Sequence, residues 1–425
     1  MLKPIARLHP TAWIGRGYFE PLAHNRFRNA TYRVLLGTAL AWATAGGAIA
    51  QPVSEPTRPE STSPELTSPE LTSPELSSPE RATQERAVAQ NTLPASPTAM
   101  MQAFNQRFPS DVVIPTYVSL TEQTARLAEA SQQFAADPTE ETLETLRAVW
   151  VDATTAWARG QAFAFGPIHS LGYSTALEFP ADGASIEALL SDPTVLEAGN
   201  IDAIVEAIAL TPSVHGFEAI AYVLYGLDGD KRLDEFSAVE RLYLTRLAEM
   251  ADENAQALLQ VWQEGWEGYA PYETVLATAG QPGNGAYLSV EAGTEEVIRG
   301  LYNHLDVIVN EALPEMLEVW EAESILPDAI ALEHLHSSVS GVRIAYTGIV
   351  DGAAADSSSG LSHLVAMENR VIDQYIQQSL DAALTNLEAA IANPEDQAAL
   401  SEAHGSLTIV YDYLETEVLA LVQGS

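Results

Sequence analysis

From about position 100 onward, apolar residues recur at i, i+3 and i+4, the spacing that gathers them on one face of a helix. Alternating β-branched runs, which mark strands, are few. Breaker dipeptides such as Asp137-Pro138 and Asn393-Pro394 separate successive helical stretches. The pattern therefore predicts an all-α fold. The predicted helices cover 111–135, 140–164, 200–209, 213–225, 237–268, 291–321, 328–349, 362–392 and 395–422.

One long irregular stretch, 270–293, interrupts this helical pattern. It divides the predicted folded part, 99–425, into halves of about 99–270 and 290–425. Each half carries four or so predicted helices joined by short connections, which is typical of antiparallel bundles. The sequence thus predicts two antiparallel helical bundles packed together.

The N-terminal 50 residues have the pattern of a secretory signal peptide. Six basic residues and one acidic residue occupy the first 33 positions, and an apolar run rich in small residues follows at 34–50. That run ends in Ala48-Ile49-Ala50, which resembles an A-x-A cleavage site. A retained membrane anchor is the alternative, although the run is short for one. We therefore predict export to the periplasm or cell envelope, with no transmembrane segment after cleavage.

Residues 51–98 form a low-complexity segment rich in Ser, Pro and Glu. Its centre, SPELTSPELTSPELSSPE (63–80), repeats a five-residue unit. A proline in every repeat forbids a continuous helix, and the segment has too little apolar surface to build a core. We interpret it as an extended, disordered tether between the signal peptide and the folded part.

The charge balance narrows the possible partners. The chain has 58 acidic against 20 basic residues, with a formal net charge of −38. Nucleic acids and anionic membranes bind basic surfaces, so neither is an expected partner. Such a field instead attracts cations. The chain has no cysteine, which excludes disulfides, thiolate metal sites and cysteine nucleophiles.

The segment TPSVHGFEAIAYVLYG (211–226) carries the most informative chemistry. If 213–225 is one helix, His215, Glu218 and Tyr222 share a face at i, i+3 and i+7. The remaining positions are almost all apolar, so the helix should be interior. A buried carboxylate needs a partner, and the candidates for Glu218 are a cation, Arg343 or tyrosine hydroxyls. A chain this acidic contains about one His-x-x-acid pair by chance, so the spacing alone does not define a metal site.

Common enzyme motifs are missing from the sequence. It contains no His-Glu-x-x-His of zinc proteases and no Gly-x-Ser-x-Gly nucleophile elbow. It also has neither a P-loop nor a Gly-x-Gly-x-x-Gly motif.

Three segments together resemble the imelysin family, whose members are described as imelysin-like peptidases. They are AWARGQAFAFGPIHSLGYSTALEFPAD (156–182), HGFEAIAYVLYG (215–226) and SGVRIAYTGIVDG (340–352), which leads into SGLSHLVAMEN (359–369). The resemblance implies a two-bundle, all-helical protein of a bacterial envelope. It also implies a role in the uptake of iron or another metal.

The family's Gly-x-His-x-x-Glu motif is thought to bind metal, and it fits this chain in two registers. In the first, His215 and Glu218 are the motif residues and Ser213 replaces its glycine. In the second, the apolar tail of the helix is aligned instead. Glu218 then stands at the motif histidine and Ala221 at its glutamate. The registers differ by three residues, about one helical turn.

The resemblance and the charge pattern lead to a predicted site. The expected metal ligands are His215, Glu218 and Glu178, and Tyr222 and Arg343 are expected to line the substrate site. The expected cofactor is a metal ion, iron by resemblance. Weaker candidates for further ligands are Asp152, His304, Asp306, His363 and Glu368.

Three functions remain open at this point. The first is an exported protein that binds a metal ion or metal chelate and assists iron acquisition, with an envelope iron-transport component as partner. The second is a metallopeptidase of the imelysin type, in which a carboxylate activates a metal-bound water. The third is a non-catalytic interaction scaffold with a degenerate metal site, where Arg343 alone neutralises Glu218.

Overall fold

The computed structural model describes residues 96–193, 211–226, 229, 231–323, 329–350 and 359–423. Within these ranges the chain forms helices and turns, with one isolated bridge between Trp266 and Tyr269 and no strand. The all-α prediction is therefore confirmed. The described residues from Met100 onward belong to one compact unit. The predicted signal peptide, nearly all of the tether and the predicted helix 200–209 lie outside the described residues.

The helices of the described ranges are numbered in chain order. The α-helices are α1 (Pro97–Phe108), α2 (Ile114–Ala136), α3 (Glu140–Gly160), α4 (Pro167–Ser170), α5 (Tyr173–Leu177), α6 (Gly183–Leu190), α7 (Gly216–Tyr225), α8 (Ala238–Gln263), α9 (Tyr272–Ala277), α10 (Val290–Val307), α11 (Leu313–Glu323), α12 (Ala329–Thr347), α13 (Leu361–Ala392), α14 (Gln397–Tyr413) and α15 (Ala420–Gln423). Wider π-turns occupy Pro109–Val113, Ile308–Ala312 and Leu414–Val418, and 3₁₀ turns occupy Gln161–Phe163, Pro212–Val214 and Leu233–Glu235.

Side-chain caps explain the helix starts that the sequence predicts well. Thr139 caps α3, since its hydroxyl accepts from the amide of Thr142 and the Thr142 side chain accepts from the amide of Thr139. Ser237 and Glu240 form the same reciprocal arrangement at the start of α8. These capping boxes satisfy amide groups that a helix N-terminus leaves unpaired. The predicted starts at 140 and 237 therefore agree with the structure to within one residue.

The predicted start of the first helix is wrong by more than three turns. Helical structure begins at Pro97, whereas the sequence pattern places the first helix at 111–135. Pro109 has no amide hydrogen and reads as a helix breaker. The structure accommodates it at the first position of a π-turn, whose wider ring continues directly into α2. The predicted irregular stretch 270–293 likewise contains a short helix, α9.

The long helices pack around shared cores. α2 contacts both α3 and α8, while α13 contacts both α12 and α14. The contact between α3 and α12 joins helices from before and after the 270–293 stretch. Large aromatic side chains such as Trp150, Trp262 and Tyr346 are fully buried among these helices. The finer division into two bundles stays a prediction.

None of the described helices is both long enough and apolar enough to span a bilayer.

Candidate functional site

The junction between α5 and α7 fixes the position of the predicted motif. Gly216, the first residue of α7, has a φ of +85°, and a Cβ there would lie 2.7 Å from the carbonyl oxygen of Leu177. His215 caps the helix with an extended backbone, at φ −138° and ψ 178°. The prediction that His215 and Glu218 share a helical face is therefore wrong, because His215 precedes the helix.

His215 is held against the neighbouring helix by its ring. The Nδ1 atom lies 3.2 Å from the carbonyl oxygen of Ala176, which can only accept. Nδ1 therefore carries the hydrogen, and Nε2 presents its lone pair. Burial lowers the pKa of His215 below its ordinary value, and the Ala176 carbonyl opposes that effect. Anchoring one ring nitrogen in this way is common among histidines that bind a metal through the other.

Glu218 lies in the first turn of α7 and is only 2% exposed. Its Oε1 atom has no hydrogen-bond partner among the residues that the structure describes. Burial raises the pKa of Glu218 well above the ordinary value, and the charge of Glu178 raises it further. Among the described residues, the carboxyl of Glu218 is thus a buried acid with no ion pair to stabilise its ionised form.

Glu178, which caps the C-terminus of α5, is the second carboxyl of the pair. Its Oε2 atom accepts a hydrogen bond of 2.7 Å from Nε1 of Trp157 and another from the Gln161 side chain. Burial raises the pKa of Glu178 to about 7, while both hydrogen bonds act to lower it. Near neutral pH this group therefore exists as a mixture of acid and carboxylate.

Replacing Trp157 with Phe should raise the pKa of Glu178 above about 7, since the indole N–H stabilises the ionised carboxylate. A hydrogen bond to a charged group contributes about 1.5 kcal/mol or more, so a rise of about one to two units is expected. A pH titration followed by carboxyl ¹³C NMR would measure it. Trp266→Phe, on an exposed turn, is the matched control. An unchanged Glu178 titration in Trp157→Phe would show that this bond does not stabilise the carboxylate.

Tyr222 and Arg343, the two residues predicted to line the substrate site, lie elsewhere. The Tyr222 hydroxyl donates to Oε1 of Glu187 at 3.2 Å. The Nε atom of Arg343 donates to Oδ1 of Asp381 at 2.7 Å, which makes it a partner of α13. The charge of Glu178 acts on Glu218, so these two carboxyl groups are neighbours, whereas the polar groups of Tyr222 and Arg343 pair with other carboxylates.

A cavity of about 100 Å³ lies against Glu178. Side chains from α3, α10 and α12 form most of its wall, and Phe217 contributes from α7. Glu218 is not among the residues that line it. The titratable groups on the cavity wall are Glu178, His304, Glu315 and His334.

Sequence reasoning ranked one of these histidines as a weak candidate and missed the other. His304 and His334 are 7% and 8% exposed, and burial lowers the pKa of each to about 4. Both rings are therefore neutral at neutral pH. His334 sits within an apolar helical pattern in which nothing distinguishes it from a core histidine. Trp157 and Gln161, the donors to Glu178, likewise carry no sequence signal that distinguishes them from packing residues.

The other weak candidates have ordinary surroundings. Asp152 is half exposed and lies 3.4 Å from Arg126, while Asp306 accepts from the Tyr411 hydroxyl. His363 and Glu368 belong to the first turns of α13, far along the chain from the cavity-lining residues of α12. Across the described ranges, no three His, Asp or Glu side chains converge closely enough to hold a metal ion. His215, Glu178 and Glu218 thus do not form a complete coordination shell.

The backbone distinguishes the two motif registers. Glycine is required at 216, where φ is positive and a side chain would overlap the Leu177 carbonyl. Ser213, within the 3₁₀ turn Pro212–Val214, faces no such requirement. Placing the motif glycine at Gly216 favours the second register. Glu218 then occupies the position of the motif histidine, and Ala221 that of its glutamate.

Comparisons with known proteins agree with this fold. Residues 113–419 match the model of the family described as Imelysin. The chain is 29% identical, over 75% of its length and 86% of the relative's, to iron-regulated protein A of Synechococcus elongatus. A crystal structure described as an iron-regulated protein A precursor from Parabacteroides distasonis superposes with a TM-score of 0.63 at 19% identity, covering 79% of this chain and 96% of the other. An imelysin-like protein from Psychrobacter arcticum gives 0.56 at 14% identity, over 76% and 96%.

Proposed function

The chain belongs to the imelysin family, and from this premise we propose that it is an exported protein that binds a metal ion in the cell envelope and assists iron acquisition. The metal ion is its cargo, and an envelope iron-transport component is its expected partner. The choice of iron follows the name of the Synechococcus elongatus relative. Export follows the N-terminal sequence pattern and the description of the Parabacteroides distasonis protein as a precursor.

The pair formed by Glu178 and Glu218 is the observation that carries this proposal. Glu218 is buried and Glu178 is partly buried, and two neighbouring carboxyl groups repel each other when both are ionised, while burial removes part of their hydration. Glu218 has an Oε1 atom without a partner among the described residues, so protonation or a bound cation must compensate it. A metal ion at this point would stabilise both carboxylates at once.

The donor chemistry is compatible with iron. Carboxylate oxygens bind both oxidation states of iron, and an imidazole adds affinity for Fe²⁺. His215 would take part through its available Nε2 lone pair, since its ring is anchored on Ala176, two residues before Glu178. Because the three side chains do not converge closely enough to bind one ion directly, a water molecule would link His215 to the ion. Water would complete the shell. The net charge of −38 would raise the local concentration of cations near the protein.

Anaerobic calorimetric titration of the purified, chelator-stripped protein with Fe²⁺ would test this function. We expect saturable binding of about one ion per chain, with affinity at least about tenfold weaker in both Glu178→Gln and Glu218→Gln, a loss of about 1.4 kcal/mol or more. Affinity should also fall below pH 7, because protons compete for the carboxylates. Glu187→Gln, which removes an exposed carboxylate of the same half, is the matched control.

Two results would count against the proposal. Failure of the wild-type protein to bind Fe²⁺ at pH 7.5 would remove the cargo function. Equal loss of affinity in Glu187→Gln and Glu218→Gln would mean that general negative charge, and not this carboxyl pair, attracts the ion.

A further inference from the structure

The helical hairpin formed by α13 and α14 exposes a group of large apolar side chains. Val371 and Tyr375 lie one turn apart on α13, and they are 59% and 52% exposed. Ile409 and Tyr413 lie one turn apart on α14, and Ile409 is 46% exposed. The rings of Tyr375 and Tyr413 stack with their centroids 6.5 Å apart, so the two rows adjoin. We call these four residues the hairpin patch.

Asn369 determines where the α13 row of the hairpin patch begins. Its backbone is not helical, at φ −147° and ψ 93°, and it interrupts α13 at this point. Its Oδ1 atom accepts hydrogen bonds from the amides of Val371 and Ile372 at 3.1 and 3.3 Å. An asparagine in this position caps the helix that follows it. Val371 therefore lies in a capped first turn, and Tyr375 follows it on a regular helix.

The core of the hairpin is formed by other faces of the same two helices. Ile376 and Leu380 on α13 and Leu407 on α14 are fully buried. α13 packs against both α12 and α14. The hairpin patch is thus additional apolar surface beside a core that is already filled. Soluble proteins rarely expose contiguous apolar surface unless a partner covers it.

The charge around the hairpin patch indicates what kind of partner covers it. Arg370 is the single Lys or Arg among residues 359–423. The acidic residues of this range are Glu368, Asp373, Asp381, Glu388, Glu395, Asp396, Glu402, Asp412, Glu415 and Glu417. The excess of acids here is therefore ten to one, against 58 to 20 in the whole chain. Exposed acids such as Glu402, Asp412 and Glu417 lie on α14 and its π-turn, before and after the apolar pair on that helix.

We propose that the hairpin patch docks a basic amphipathic helix of a partner protein. Two adjoining helices with an exposed apolar row on each form a groove into which a third helix can lay its apolar face. Lysine and arginine beside that face would then meet the acidic residues around the patch. A second copy of this chain would bring acidic surfaces together, and an anionic bilayer would also be repelled. The patch shares no residue with the pair formed by Glu178 and Glu218, so docking and metal binding can fail independently.

A synthetic amphipathic helix of leucine and lysine, about 18 residues and thus about 27 Å long, is the probe for this site. Fluorescence anisotropy of the labelled peptide, titrated with the full chain, measures its affinity. We expect saturable one-to-one binding that is at least about tenfold weaker in Tyr375→Ser and in Ile409→Ser. Leu288→Ser is the matched control, since Leu288 is an apolar residue outside the patch that is 85% exposed.

Two further peptides separate shape from charge. A scrambled peptide of the same composition does not gather its leucines on one face, so it should bind at least about tenfold more weakly. A peptide with glutamate in place of lysine should not bind measurably, because the acidic surface repels it. Equal binding of either peptide would overturn the assignment of a basic amphipathic helix.

The patch variants replace exposed side chains, so they should keep the circular dichroism and melting temperature of the wild type. Unchanged peptide affinity in both Tyr375→Ser and Ile409→Ser, or an equal loss in Leu288→Ser, would overturn the proposal. Sedimentation tests the second copy: a dimer that Val371→Ser abolishes would assign the patch to self-association instead. Binding to phosphatidylglycerol vesicles that Tyr375→Ser abolishes would assign it to a membrane surface.

Discussion

Glu218→Gln is expected to stabilise the metal-free protein at pH 8 and to leave its stability nearly unchanged at pH 5. The substitution keeps the shape of the side chain. It removes a carboxyl group whose ionised form is destabilised by burial, since Glu218 is only 2% exposed. An uncompensated buried charge typically costs about 3–5 kcal/mol, so we expect a gain of that order at the higher pH. Urea unfolding in the presence of a chelator measures the difference at each pH.

The direction of this effect follows from the raised pKa values. Burial raises the pKa of Glu178 from 4.5 to about 7, and that of Glu218 well above 4.5. Between the unfolded and folded pKa values, the folded state binds more protons than the unfolded state. The contribution of the two carboxyl groups to stability is therefore complete below about pH 4.5, and it is lost as the pH rises through 7. For Glu178 the shift corresponds to about 3 kcal/mol.

The buried histidines act in the opposite direction. Their pKa values of about 4 lie below the ordinary 6.5, so the unfolded state binds more protons between these limits. Stability from His304 and His334 is complete above about pH 6.5 and is lost as the pH falls through 4. Comparing each variant with the wild type at the same pH separates the two effects, because Glu218→Gln leaves the histidines in place.

The control for this experiment is Glu187→Gln, an exposed carboxylate that accepts from the Tyr222 hydroxyl. A surface substitution of this kind typically changes the free energy of unfolding by no more than about 0.5 kcal/mol. Saturating Fe²⁺ should reverse the order, since the ion would stabilise the wild type more than the variant. A Glu218→Gln gain that is the same at pH 5 and pH 8 would contradict the raised pKa of this carboxyl.

The sequence predicts most of the long helices because apolar periodicity and capping depend on residues that are close together in the chain. The apolar periodicity placed α3, α8, α12 and α13 within a few residues of their observed bounds. Capping residues such as Thr139 and Ser237 fixed their starts. The apolar pattern missed α1 and the π-turn at Pro109 that joins it to α2, because whether a proline ends a helix or enters a π-turn depends on packing that a single sequence does not reveal.

The candidate site was harder to predict because its parts are distant in sequence. Glu218 was recognised as a carboxylate in an apolar helix, and Glu178 through its resemblance to a family segment. Spacing could not show that Glu178 is the neighbour of Glu218, or that Arg343 pairs with Asp381. His334 gave no signal, since its chemistry comes from Thr154 on α3, 180 positions earlier.

Gly216→Ala is expected to destabilise the protein and to weaken metal binding together. At a φ of +85° a non-glycine residue is strained by on the order of 1–3 kcal/mol, and the new Cβ would lie 2.7 Å from the Leu177 carbonyl oxygen. Relief of that overlap must move the start of α7 away from α5, which separates Glu218 from Glu178. Chemical unfolding and Fe²⁺ titration of the same sample measure both effects.

Gly405→Ala is the matched control, because it lies inside α14 and a Cβ there meets nothing within 4 Å. Alanine in a helix interior is favoured over glycine by about 0.5–1 kcal/mol, so this variant should be slightly more stable. If Gly216→Ala were as stable as Gly405→Ala and bound Fe²⁺ normally, position 216 would not require glycine. The argument that places Glu218 at the motif histidine would then fail, and the register built on His215 would again be equally supported.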